Sequence, residues 1–150
     1  MVTLAQVQRQ MRGRRVYFDT SPIIYFINKV EGYFAACLPL FQGVENQDFQ
    51  SFSSELCLAE LLVKPLRENN HIQARNIKSL FDDGFFHLLA HDRRVFELAA
   101  SIRATQNLKM VDAVHAATAI QHDCQFIITG DKEIAKNLRG IAVVDLNGFV

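Results

Sequence analysis

Short apolar runs recur along this chain, each followed by a longer stretch with helical character, and that alternation constrains the fold more than any other feature. The runs are Arg15 to Asp19, Phe49 to Phe52, Phe85 to Leu89, Phe126 to Thr129 and Ile141 to Val144. Most lack the polar–apolar alternation of a half-exposed strand, which suits strands covered on both sides. Strands alternating with helices imply an α/β fold, with a mostly parallel sheet and helices on both faces. In such sheets ligands bind beyond the carboxyl ends of the strands, where the strand order reverses.

Local signals mark the helices. Ser21-Pro22 opens one that continues to Asn28 and ends by Gly32, since serine caps and proline is tolerated in the first turn. Tyr33 to Gln42 forms another, closing near Gly43. Ser53 and Ser54 offer caps for a helix through Leu56, Leu58, Leu61 and Leu62, which Pro65 is expected to stop. Further helices are expected over Asn70 to Asp82, Asp92 to Thr105, the Ala-rich Val111 to Gln121, and Lys132 to Asn137. Residues 1–14 have weak helical character and read as an N-terminal extension, frayed or docked. No repeat, low-complexity tract or linker divides the chain, so residues 1–150 are expected to form a single domain.

With 150 residues, 49% of them apolar, the chain can bury a core without staples. No apolar run reaches the length of a membrane span. No signal-peptide pattern follows the basic start at Arg9, Arg12, Arg14 and Arg15, which makes the cytoplasm the expected location. Cys37, Cys57 and Cys124 are odd in number, far apart and set in apolar sequence, the pattern of reduced, buried thiols. A net charge of zero argues against a strongly basic nucleic-acid-binding domain. It still leaves local basic pairs: Lys64 with Arg67, Arg75 with Lys78, and Arg93 with Arg94.

Four acids stand out against this background. Asp19 and Asp131 lie just beyond the first and fourth apolar runs, Glu60 inside an apolar helix, and Asp112 in the first turn of the Ala-rich helix. Carboxylates in such surroundings are costly unless a cation holds them. Ordinary readings exist for three: Asp19 and Asp112 as caps, Asp131 as a turn residue. Glu60 resists one, because an acid on the inner side of a helix needs a partner. If the fold gathers all four, Mg²⁺ or Mn²⁺ is the natural occupant and phosphodiester hydrolysis the natural chemistry. Without metal the acids would repel one another, and at least one would keep its proton near neutrality. Glu55 projects from a different helix face than Glu60, and Glu133 is expected to be an exposed first-turn acid. His115, on the same helical face as Asp112, is expected first as a core or rim residue and second as one that positions the site or contacts phosphate. His71, His87, His91 and His122 show no ligand spacing.

Four stretches resemble the PIN-domain ribonucleases, and in particular the small single-domain toxins of the VapC kind. They are Val16-Tyr-Phe-Asp19-Thr-Ser-Pro-Ile-Ile-Tyr, Leu58-Ala-Glu60-Leu-Leu, Val111-Asp112-Ala-Val-His-Ala-Ala-Thr-Ala119 and Phe126-Ile-Ile-Thr-Gly-Asp131. They come in the family's order and span nearly the whole chain. The resemblance implies a three-layer α/β/α sandwich around a central, mostly parallel five-stranded sheet. It implies that Asp19, Glu60, Asp112 and Asp131 are the catalytic and metal-binding acids, around Mg²⁺ or Mn²⁺. It further implies cleavage of single-stranded RNA and, for the toxin branch, a cognate antitoxin that blocks the site. Thr20 or Ser21 matches the hydroxyl after the first acid, and Thr129 the hydroxyl two before the last; both could orient ligands or water. One departure is the Phe-rich, polar run Asp48-Phe-Gln-Ser-Phe-Ser where a clean apolar strand is the norm.

Two other parallel α/β designs do not fit. A phosphoacceptor receiver domain wants an adjacent acid pair early and a lysine after a late strand. A haloacid-dehalogenase-like phosphatase wants a second acid two residues after the first, where Ser21 stands. The alternative of another class is a PIN-fold RNA- or protein-binding module with little catalysis. Tyr25, Phe26, Tyr33, Phe34 and Phe41 cluster on the early helices, and an exposed subset would suit a homodimer contact or an antitoxin segment.

Overall fold

The structure, a computed structural model, describes all 150 residues. Five strands form one sheet: β1 (Arg15–Phe18), β2 (Gln50–Ser54), β3 (His87–Leu89), β4 (Phe126–Thr129) and β5 (Ala142–Asp145). Every neighbouring pair is parallel, in the order β3-β2-β1-β4-β5. The helices are α1 (Leu4–Met11), α2 (Thr20–Ile27), α3 (Phe34–Glu45), α4 (Glu55–Arg67), α5 (His71–Asp82), α6 (Arg93–Gln106), α7 (Met110–Gln121) and α8 (Lys132–Asn137), followed by a 3₁₀ turn at Leu146–Phe149. No helix is long and apolar enough to cross a membrane.

The chain starts at the sheet centre, grows outward to β3, then returns past β1 to β4 and grows the other way. Parallel crossovers are right-handed, so reversing the direction of growth moves the helices to the opposite face. Two cores follow from this. Val16 and Phe18 of β1, with Ile128 and Val144, meet Met11, Ile23, Phe41, Leu61 and Ile77 from α1 to α5. Tyr17 and Ile127 point the other way, toward Val95, Ala99 and Ile102 of α6, Ala113, Ala116 and Ala117 of α7, and Ile134 of α8. Successive strand residues therefore enter two different apolar layers, which is why the central strands carry little polar–apolar alternation. The expected α/β/α sandwich is the observed architecture, and its sheet is wholly parallel.

The Phe-rich segments have a place in this plan. Phe18 sits 5.4 Å from Phe41, 6.1 Å from Phe49 and 5.1 Å from Phe86, ring centre to ring centre. Phe85 and Phe86 turn into that core ahead of a strand shorter than the expected Phe85 to Leu89.

Three local expectations change. Ser53 and Ser54, expected as helix caps, are fully buried residues of β2. Ser53 Oγ donates to the Phe18 carbonyl at 3.1 Å, Ser54 Oγ bonds the Tyr17 hydroxyl at 2.8 Å, and Ser51 Oγ donates to the Phe85 carbonyl. The polarity of β2 is thus consumed internally, as buried polar groups require. Next, α4 runs on to Arg67 with Pro65 inside it. A proline one turn from the end removes only one helical bond, and the Pro65 carbonyl accepts the Asn70 N–H at 2.8 Å. Last, α2 begins at Thr20 with Asp19 as its cap, one position ahead of the expected Ser21.

Residues 1–14 are docked. The Thr3 hydroxyl accepts from Gln6 N while the Gln6 side chain accepts from Thr3 N, a capping box at the start of α1. Met11 at the other end is completely buried against the sheet. Met11→Ala is therefore expected to cost about 2–5 kcal/mol in urea unfolding, the range for emptying a core site. A loss below about 0.5 kcal/mol would place α1 outside the cooperative unit.

Candidate active site

The sheet order reverses at β1, between β2 and β4, and the acids gather past the carboxyl ends there. Asp19 follows β1 directly; Asp131 comes two residues after β4 and caps α8. Glu60 lies in the second turn of α4, which leaves β2 without a loop, and Asp112 in the first turn of α7. All four line one cavity of about 210 Å³, together with Thr20, Ser21, Ile24 and His115. Thr129 stands just behind it, fully buried.

Asp19 is the most enclosed of the acids, only 4% exposed. Ser21 N and Ser21 Oγ both donate to its Oδ1 at 2.8 Å, and Thr129 Oγ1 donates to its Oδ2 at 2.6 Å. Burial raises its pKa above the ordinary range; the charge of His115 and these hydrogen bonds pull against that. Asp131 Oδ1 accepts from Glu133 N at 2.8 Å and Ile134 N at 3.1 Å, the capping role of an Asp at a helix start.

Glu60 is held from within the protein. Its Oε1 accepts from Thr20 Oγ1 at 2.6 Å and from His115 Nε2 at 2.6 Å. Behind the imidazole, His115 Nδ1 lies 2.8 Å from the Tyr17 hydroxyl, which lies 2.8 Å from Ser54 Oγ. Tyr17 and Ser54 are inaccessible and His115 is 2% exposed, so this is a buried polar chain running from the core to the cavity wall. Burial raises the Glu60 pKa, but the bonds from His115 and Thr20 outweigh it and the net direction is down. Burial lowers that of His115, while its contacts with Cys57 and Glu60 carry it up to about 10. In the ionised pair His115 donates from both nitrogens, to Glu60 and to the Tyr17 oxygen, and the Tyr17 hydroxyl then donates to Ser54 Oγ.

Asp112 takes no hydrogen bond from the protein. Its pKa is raised to about 6, first by burial and then by the charges of Asp131, Asp19 and Glu60. That is the mutual repulsion expected of acids gathered without a cation. No three Asp, Glu, His or Cys side chains stand close enough to grip an ion together. The oxygens of Asp19, Glu60 and Asp131 are partly engaged by hydroxyl, imidazole and amide donors, so closing on an ion calls for side-chain movement, most freely at Asp112. The donor set itself fits a hard divalent cation: carboxylate oxygens, with an uncompensated negative charge.

A family model for the PIN domain matches residues 16–139. The chain belongs to the PIN domain family. Members of this family are generally nucleases, and generally depend on divalent metal. Among solved structures, VapBC2 from Rickettsia felis, bound to a promoter DNA fragment, is similar at 16% identity over 87% of this chain and 98% of that one, TM-score 0.68. A toxin–antitoxin complex from Klebsiella pneumoniae is similar at 22% identity, covering 87% and 97%, TM-score 0.63. DNA-bound VapBC from Salmonella typhimurium gives 16% identity, covering 89% and 98%, TM-score 0.63. At these identities the likeness is one of fold. No curated protein sequence matches the chain.

Sequence reasoning missed Tyr17 and Ser54. Tyr17 sits in an apolar strand and Ser54 ahead of a helix, so neither signals a buried polar chain. His115 is the buried residue expected, and it also contacts Glu60. Glu55 and Glu133 are exposed, as are His71 and His87; His91 and His122 are half-buried. The three cysteines are buried and unpaired.

Two measurements test this arrangement. Tyr17→Phe strips the Ser54 and His115 groups of a buried partner and is expected to cost about 1–3 kcal/mol in urea unfolding. For Asp112, the folded pKa of about 6 lies above the ordinary aspartate value of 3.8. Its contribution to stability is therefore full at low pH and is lost as pH rises through about 6. Metal-free Asp112→Asn should melt above wild type at about pH 8, and the gap should close below about pH 4. Equal melting at both pH values would mean the acids do not repel.

Proposed function

We propose that the chain is a Mg²⁺- or Mn²⁺-dependent endoribonuclease that hydrolyses phosphodiester bonds of single-stranded or loop RNA, and that it is the cytoplasmic toxin of a toxin–antitoxin pair. The observation that carries the reading is the convergence of Asp19, Glu60, Asp112 and Asp131 on one cavity, with the Asp112 pKa pushed up first by burial and then by the charges of the other three. The similar folds of three toxin–antitoxin complexes support the toxin reading and the expectation of an antitoxin partner.

When bound, the ion supplies charge neutralisation at the phosphate and lowers the pKa of water into the working range. The protein's part is to hold the oxygens. Ser21 and Thr129 fix the plane of the Asp19 carboxylate, filling both acceptor sites of Oδ1 and leaving Oδ2 a further lone pair. Thr20 and His115 fix Oε1 of Glu60 and leave Oε2 free, and the α8 cap does the same for Asp131. Asp112, bound to nothing, is the carboxylate free to swing toward the ion or to accept a proton. A homodimer would set two such cavities near one RNA. Of the five aromatic residues on the early helices, Phe41 is buried and the other four are half-buried, so none offers a fully exposed ring for that contact.

The test is cleavage of a pool of labelled structured RNAs with Mg²⁺ or Mn²⁺ and again with EDTA, Asp112→Asn beside wild type. Metal-dependent cutting that Asp112→Asn abolishes is the expected result. If wild type leaves every RNA intact and also binds no metal by calorimetry, the four-acid site is wrong and the nuclease reading gives way to a PIN-fold binding module.

A further inference from the structure

The acidic cavity adjoins a second hollow of about 490 Å³, and the two share Ser21 and Asp131. Tyr25 and Tyr33 line it, their rings stacked 4.2 Å apart at 27°. The Tyr33 hydroxyl donates to Asn147 Oδ1 at 2.6 Å, and Asn147 Nδ2 donates to the Gly130 carbonyl at 2.9 Å, so the aromatic pair is tied to the same turn that carries Asp131. Gly130 itself is cleared for the ring: a Cβ there would lie 2.5 Å from Tyr25. Both tyrosines are half-buried, and their inner edges pack on the core. Core shielding alone would be served by leucine or phenylalanine. It does not account for the hydrogen bonds that lock Tyr33 beside the acids. Lys132 and Glu133 line the same hollow.

We propose that this hollow is a nucleobase subsite, where the nucleotide beside the scissile phosphate lays its base against the Tyr25–Tyr33 pair with Lys132 near its phosphate. The proposal rests on the nuclease reading above. Four acids repel the RNA backbone, and a neutral chain has no general basic field to oppose them, so a grip independent of charge is needed next to the cut. Base–aromatic stacking provides one, and it tolerates any base because every base has a flat face.

The experiment titrates single-stranded RNA carrying 2-aminopurine into Asp112→Asn protein, then into the same protein with Tyr25→Leu, Tyr33→Leu or Tyr25→Phe added. Thermal melts confirm that each variant is folded at the temperature used. Binding should quench the probe; either Leu change should weaken affinity by about fivefold or more, and Tyr25→Phe should preserve it. Metal affinity by calorimetry should be the same for wild type with and without Tyr25→Leu. Unchanged RNA affinity in both Leu variants would overturn the proposal and leave the pair as packing or a protein-docking face. Absence of RNA binding by the Asp112→Asn parent would overturn it too, while wild-type cleavage of the RNA pool decides separately whether the nuclease reading stands.

Discussion

A carboxylate that is almost completely enclosed must be hydrogen-bonded or protonated, and the site depends on how the chain meets that demand at Asp19. Ser21 Oγ donates to one oxygen and accepts from Gly130 N at 2.8 Å; Thr129 Oγ1 donates to the other and accepts from Asp131 N at 2.9 Å. Each hydroxyl therefore ties the turn after β1 to the turn after β4 through one atom. Only a hydroxyl both donates and accepts at a single atom, so an amide or a cation would satisfy the acid without fastening the second turn. This clamp fixes Asp131 relative to Asp19, across the two strands between which the sheet order reverses.

The opposite wall is built from the inside out. Glu60 leaves a helix that begins where β2 ends, so its height above the sheet is set by the strand, and its direction is set by His115. That imidazole is in turn held by Tyr17, whose side chain must point to the α6–α7 face because Val16 and Phe18 occupy the other. Strand alternation thus reaches the site: the residue that supports the Glu60–His115 pair is the one strand position between two core residues. The pair is buried on one side only, His115 at 2% and the Glu60 side chain at 36% exposure, so losing Glu60 leaves an enclosed imidazole without its partner.

Much of this was legible in the sequence, for physical reasons that also explain the rest. Parallel strands buried on both sides announce themselves as unbroken apolar runs, and acids placed at their ends or inside apolar helices announce a cost that something must offset. The placements of Asp19, Glu60, Asp112 and Asp131 followed from that. The Ser53–Ser54 pair did not, because a serine before a helix has the same local signature whether it caps or faces inward; only the position of Tyr17 across the sheet decides it. Pro65 likewise carries no mark of whether a following amide will take up its carbonyl. Docking of α1 depends on Met11 finding a pocket formed by residues far along the chain.

Charge accounting sets the remaining constraint. The chain has equal numbers of basic and acidic residues, yet the cavity wall gathers four carboxyls against one buried imidazole, so the field at the site is negative while the molecule is neutral. A phosphodiester approaching this wall is opposed until a cation intervenes, and a cation is attracted for the same reason. On the proposed reading, substrate and metal would be coupled by electrostatics: an ion held by these acids would lower the barrier to a phosphate. A site of this sign would hold polyanions less tightly when empty than when loaded. Lys64 and Arg67 sit one and two turns beyond Glu60 along α4, and Lys64 lines a hollow with Glu60 on that side of the wall.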